Sequence, residues 1–203
     1  MAIAEQSSEP DYTLYHLRYS EAVSSPNHWQ QRAQALALSV DPETHQILGC
    51  FTGLFGLKSS DCFCLISGPN ASAPTQKDLA PTILAQTPMN ATLRPDSPKI
   101  LSQDGIYVFR FWKIAGDQVD HAVALSAAAW TTFEEGFDTE VKALFRQQVR
   151  EEEEESMLLI TWYKNLTAWE ASRRPDPGAL DYFRQRQALI HSVLPIATRV
   201  IQP

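Results

Sequence analysis

The sequence has no run approaching the roughly 20 apolar residues needed to span a bilayer, and no basic stripe of the kind that tracks nucleic acid. A membrane span and a nucleic-acid partner are therefore not expected. It has only three cysteines, Cys50, Cys62 and Cys64. An odd count with no export signal argues for reduced thiols and a cytoplasmic protein. Cys62 and Cys64 share one face of a strand. No second Cys or His pair follows to complete a zinc site, so buried apolar packing is expected and no metal. Gly53-Leu54-Phe55-Gly56 lacks the serine of a nucleophile elbow, and there is no glycine-rich phosphate loop. No motif asks for a cofactor, and His28, His45, His121 and His191 fall at no metal spacing.

What is present suits a globular chain. Apolar residues make up 44% of the 203, enough to bury a core. The net charge is -7, of which residues 151–155, all glutamate, supply five. That run reads as a solvated turn. Residues 1–10 are polar and acidic and are expected to be a disordered tail.

The chain also repeats itself. Tyr15-His16-Leu17-Arg18-Tyr19 matches Tyr107-Val108-Phe109-Arg110-Phe111 at an offset of 92 (107 less 15), and both alternate as half-buried strands do. Each is followed by helical spacing: Trp29, Ala33, Leu36, Ala37 and Val40 after Ser25-Pro26, and Val119, Ala122, Val123, Trp130 and Phe133 after Gly116-Asp117. Strand pairs are expected next, at 47–54 with 62–66 and at 141–149 with 157–163. Helices are expected at 76–85, and at 166–172 continued by 180–193 past a proline-rich loop at 174–178. Ala91-Thr92 and Ala197-Thr198 mark the closing strands.

The order β-α-β-β-α-β thus occurs twice, the ferredoxin-like unit. The fold class read from this is α+β: two tandem ferredoxin-like units, at 11–98 and 104–203, forming an intrachain pseudo-dimeric α/β barrel. Strands 15–19, 107–111 and 157–163 carry large residues on both faces, so each sheet should have helices on one side and the other sheet on its second. Tyr15, Leu17, Tyr19, Tyr107, Phe109 and Phe111 are assigned to the helix side. His16, Arg18, Val108, Arg110 and Trp112 are assigned to the space between the sheets, with the two arginines near the pseudo-twofold axis.

Residues 158–163, Leu-Leu-Ile-Thr-Trp-Tyr, followed by 166–173, Leu-Thr-Ala-Trp-Glu-Ala-Ser-Arg, resemble the NIPSNAP family, with an apolar strand ending Trp-Tyr and a helix carrying Trp and Ser-Arg. The Tyr107–Trp112 strand and Thr92-Leu93-Arg94-Pro95 fit the same resemblance. It implies the dimeric α/β-barrel fold, whose members include haem-degrading and antibiotic-biosynthesis monooxygenases and proteins without a known reaction. The family brings no agreed catalytic residues, and fold alone does not fix function.

The candidate site residues are His16, Arg18, Arg110, Trp112, Trp162 and Tyr163. Arginines 18 and 110 would hold a carboxylate or phosphate. His16 would be a general base or haem ligand, and the three aromatics would line an apolar pocket. The plain alternatives are a histidine bonded to a neighbour, a salt bridge between sheets and aromatic core packing. Trp169, Ser172 and Arg173 are given a structural or assembly role. The expected partner is a small apolar or aromatic ligand between the sheets. An enzyme of monooxygenase or isomerase type and a purely structural protein remain the alternatives, and edge strands leave room for a homo-oligomer.

Overall fold

A computed structural model describes residues 12–20, 26–69, 81–148 and 153–202. The expected tail at 1–10, the Ser25 cap and part of the glutamate run lie outside the described residues.

The first half contains β1 (Tyr12–Arg18), α1 (Pro26–Leu38), β2 (Gln46–Phe55), β3 (Asp61–Ser67) and β4 (Thr82–Ala91). The second contains β5 (Ile106–Ala115), a 3₁₀ turn, α2 (Val119–Gly136), β6 (Thr139–Gln147), β7 (Glu154–Tyr163), α3 (Leu166–Ala171), α4 (Pro177–Leu189) and β8 (Ile190–Val200). All pairings are antiparallel, and the strands close in the order β1-β3-β2-β8-β5-β7-β6-β4. That circuit is β4-β1-β3-β2 joined to β8-β5-β7-β6, one ferredoxin-like order used twice. The β2–β8 pair over Phe51–Phe55 and the β4–β6 pair over Met89–Ala91 join the two sheets and close the barrel. No helix among the described residues is long and apolar enough to cross a membrane.

Alternation along the strands makes three layers. Every strand sends buried apolar side chains inward, among them Leu14, Phe51, Phe63, Met89, Phe109, Phe145, Ile160 and Ile196. Ring centroids there lie about 5 Å apart: 5.1 Å for Phe51–Phe109 and for Phe63–Phe109, 4.8 Å for Tyr12–Phe145. Outside, α1 covers Tyr15, Leu17, Cys50, Cys62, Cys64 and Ile66. On the opposite side α2 and α4 cover β5 to β8 and pack on each other, with Phe133 edge-on to Phe183 at 5.2 Å.

Several expectations need correcting. Residues 82–85 belong to β4, not to a helix, because the segment pairs along β1 and meets β6. The ladder with β1, continued by the β6 pairing at Met89–Ala91, overrides a weak helical pattern. The last helix ends at Leu189, where Ile190 begins the strand that pairs with β5. The glutamate run is not all solvated. Glu154 and Glu155 start β7, and Glu155 is buried against the Arg146 guanidinium.

The largest correction concerns faces. Tyr107, Phe109 and Phe111 point into the barrel, and Val108, Arg110 and Trp112 point out under the helices. The two hairpins can be matched at Thr13–Ile66 and Ile106–Tyr163, the outermost helix-facing pairs. The structural offset in the first strand is then 93 (106 less 13), whereas the sequence motif repeats at 92. A one-residue slip sends every side chain to the other face. Arg18 stays on the barrel side, and Arg110 goes outside. The two arginines do not meet, and aromatic packing fills the space between the sheets.

Candidate functional site

A cavity of about 670 Å³ lies between the outer face of β5, β7 and β8 and the helices α2, α3 and α4. Its size is that of a small-molecule site. The strands supply one wall. Arg110 and Trp112 project from β5, Thr161 and Tyr163 from β7, and Ala197 from β8. Helices supply the other, with Trp130 and Phe133 from α2, and Phe183 and Arg186 from α4. The mouth carries exposed apolar groups: Phe55, contributed by the first half, and Leu166 and Trp169 of α3.

Local chemistry sets each wall. Asn165 caps α3 by accepting from the Ala168 amide at 2.9 Å, and Asp176 caps α4 by accepting from Gly178 at 2.8 Å with Pro177 in the first turn. Between the two helices the chain turns at Ser172-Arg173, which brings Arg173 to the rim.

The polar groups form one connected set. Arg110 donates to Thr161 Oγ1 at 3.2 Å and to the Tyr163 hydroxyl oxygen at 3.1 Å. Arg173 donates to the same Tyr163 oxygen at 3.2 Å and to Ser172 Oγ at 2.9 Å. Arg186 donates to Ser126 Oγ at 3.0 Å, and its guanidinium lies 4.8 Å from the Trp112 ring and 5.0 Å from that of Phe183. With both Tyr163 lone-pair directions facing guanidiniums, its own O–H is left to donate elsewhere.

Charge in the cavity is of one sign. Its lining includes Arg110, Arg173 and Arg186 and no aspartate or glutamate. Among the described residues none of the three makes a salt bridge. Burial of Arg186, reinforced by the Arg110 charge, pushes its pKa down to about 10. Arg173, exposed overall, is lowered for the same two reasons, burial of its head first. Three cations face an apolar space in a chain whose net charge is -7.

Of the six residues proposed from sequence, the structure brings Arg110, Trp112 and Tyr163 together here. The other three are elsewhere. Trp162 points into the barrel and donates its indole N–H to Asp104 O at 3.0 Å. His16 and Arg18 both bind Asp61, and His16 packs edge-on to Phe63. Arg186 was missed, and Arg173 was given a structural role. A signal for Arg186 exists: Leu180, Phe183, Gln187 and Ile190 form an inward stripe at three- and four-residue spacing, and Arg186 lies within it.

The first half has no matching site. With the hairpins matched as above, Leu17 stands at the position of Arg110, Cys64 at that of Thr161 and Ile66 at that of Tyr163. All three are buried in the α1 layer.

No family model and no curated protein matches the chain. Solved structures do. An anthrone oxidase-like protein superimposes with a TM-score of 0.62 at 13% identity, over 95% of this chain and 92% of the other. A candidate monooxygenase from Fusobacterium nucleatum gives 0.59 at 12%, over 97% and 94%. One from Lactobacillus acidophilus gives 0.58 at 10%, over 96% and 95%. The chain has the dimeric α/β-barrel fold. Identities this low establish architecture only, so chemistry must be argued from the cavity.

Proposed function

We propose that this protein binds a small apolar or aromatic acid in the cavity between the second sheet and its helices. The observation that carries this is the set of three arginines without a carboxylate around an otherwise apolar space. Arg110 and Arg186 are half-buried and Arg173 is at the rim, and drawing cations out of water without a paired anion costs free energy. A ligand oxyanion supplies the pair, the rings of Trp112, Trp130 and Phe183 supply contact area, and the Tyr163 hydroxyl supplies one further donor. The site thus differs from the one expected between the sheets. The resemblance to NIPSNAP proteins rests in part on residues 158–163 and on Trp169, Ser172 and Arg173, and all three of the latter line this cavity. Three buried free thiols suit a reducing, cytoplasmic setting.

Titration of tryptophan emission with 1-naphthoate tests the reading. Saturable quenching is expected, at least tenfold tighter than for neutral 1-naphthalenemethanol, because a charge-assisted hydrogen bond is worth about 1.5–3 kcal/mol. Arg110→Ala should abolish that difference. Equal affinity for acid and alcohol would sink the proposal.

A second reading makes the bound molecule a substrate. Likeness of fold to an anthrone oxidase-like protein and to candidate monooxygenases favours it. So does the Tyr163 hydroxyl, a proton donor held at the cavity wall. Oxygen uptake on adding anthrone, lost in Tyr163→Phe, would support this reading, and no uptake would leave binding alone.

A further inference from the structure

We infer that the ligand's head group is a dianion, a phosphomonoester or a dicarboxylate, carried on an apolar body. This rests on the acid-binding reading above and narrows it.

The cavity holds more positive charge than one carboxylate can match. Arg110 and Arg173 both donate to one oxygen, that of Tyr163, within 3.2 Å, so their like charges are held close together. Arg186 shares the lining, and the Arg110 charge acts on it. The three guanidiniums offer five N–H groups each, against five hydrogen bonds to protein acceptors among the described residues. All of those acceptors are neutral hydroxyls: Thr161, Tyr163, Ser172 and Ser126. No acidic, histidine or lysine side chain from β5, β7, β8, α2, α3 or α4 lines the cavity to compensate or compete.

A single carboxylate offers two oxygens and one charge. It can bridge one pair of arginines and leaves their mutual repulsion partly unrelieved. A phosphomonoester offers three strong acceptor oxygens and a charge near -2 above its second pKa of about 6. Two carboxylates on adjacent ring carbons offer four oxygens and the same charge. Either matches the two inner arginines, Arg110 and Arg186, together with the rim arginine, Arg173. The apolar wall sets the other half of the specificity. Inorganic phosphate forgoes the contacts with Trp112, Trp130 and Phe183, so the head alone is a poor ligand.

The test uses the full chain at pH 8 and three probes sharing one ring system: 1-naphthoate, 2,3-naphthalenedicarboxylate and 1-naphthyl phosphate. Both dianions should bind at least tenfold more tightly than 1-naphthoate. If only the phosphate does, the head is phosphoryl. If both do, charge alone is read. The advantage of 1-naphthyl phosphate should fade between pH 8 and pH 5 as it gains a proton near 6, while 1-naphthoate, already a monoanion throughout, changes little. Arg173→Ala should cut the dianion advantage over 1-naphthoate below threefold. Arg184→Ala, on the exposed side of α4, should change neither. If 1-naphthoate binds as tightly as the dianions, the dianion inference falls and the acid-binding reading stands. If none of the three binds, both fall.

Discussion

Arg18 and Asp61 are joined by two hydrogen bonds across the β1–β3 pair, Nε to Oδ1 at 2.8 Å and NH2 to Oδ2 at 2.9 Å. Asp61 is only 2% exposed, and Ser60 Oγ and the His16 ring also reach it, at 2.9 and 3.1 Å. The Arg18 hydrogen bond is the main reason its pKa falls to about 2. In the unfolded chain an aspartate titrates near 3.9. A carboxylate lowered in the folded state stabilises the fold above the unfolded pKa, and that contribution is lost as the pH falls from about 4 towards 2. Asp61→Asn should therefore lower Tm at pH 7, by about 4–8 °C for a loss of about 2 kcal/mol. The gap between variant and parent should close below pH 4. Thermal melts followed by circular dichroism from pH 2.5 to pH 7 measure it. A gap that stays constant across that range would mean the pair carries no pH-linked stability.

How far such details were legible depends on which physical signal governs them. The alternation in residues 157–163 placed Leu158, Ile160 and Trp162 opposite Met157, Leu159 and Thr161, and the structure keeps that division. The doubled strand order was visible because β1 and β5 carry the same aromatic-arginine pattern, whereas the second helix expected in the first half is not found among the described residues. The face of each strand was not visible. A repeat in letters at 92 and a repeat in space at 93 differ by one residue, and only the partner strands reveal the slip. β4 was illegible for a related reason, since pairing with β1 along its length and with β6 at Met89–Ala91, not its own composition, makes it a strand. Half of the cavity was legible as aromatic and cationic strand residues. The other half comes from α3 and α4, whose side chains meet Arg110 only after the helices fold back over the sheet.

The location of the site can be checked from the barrel side. Phe109 and Arg110 are adjacent on β5 and point to opposite faces, Phe109 between the Phe51 and Phe63 rings and Arg110 into the cavity. Phe109→Ala removes a fully buried ring and should cost about 3–5 kcal/mol in urea denaturation. Below the unfolding transition it should leave 1-naphthoate affinity within about threefold. A ligand housed between the sheets would give the opposite pattern, with affinity changing by tenfold or more through the enlarged interior.

Gly105 ties the start of β5 to the barrel mouth. Its φ of +144° is a conformation that side-chain-bearing residues rarely adopt. A Cβ there would collide with the Trp162 indole nitrogen and the Tyr163 carbonyl oxygen. The same indole N–H donates to Asp104 O at 3.0 Å. Gly105→Ala should destabilise the fold by about 3 kcal/mol or more and shift the tryptophan emission as Trp162 is displaced. Gly136→Ala is the comparison, because nothing lies within 4 Å of a Cβ at that helix-end position. Its Tm should stay the same or rise slightly. Equal loss in both variants would show that the strained loop is not what matters.

The cavity itself can be filled from the strand side. Ala197 lines it from β8, paired with Val108 on one flank and Phe55 on the other. Ala197 also packs beside the cluster of Ile106, Val108, Phe133 and Tyr163, and a larger side chain at 197 leaves the charged groups Arg110, Arg173 and Arg186 unchanged. Ala197→Phe should therefore occupy part of the 670 Å³ that the ligand would take. Filling empty apolar space is tolerated when the volume is available, whereas overpacking a dense core costs about 1–3 kcal/mol. Tm should consequently change by no more than a few degrees, while saturable quenching by 1-naphthoate is lost. A large drop in Tm would show that helices α2 and α4 already close on the sheet there. Retained binding with an unchanged Tm would move the ligand away from β8, towards the mouth formed by Phe55, Leu166 and Trp169.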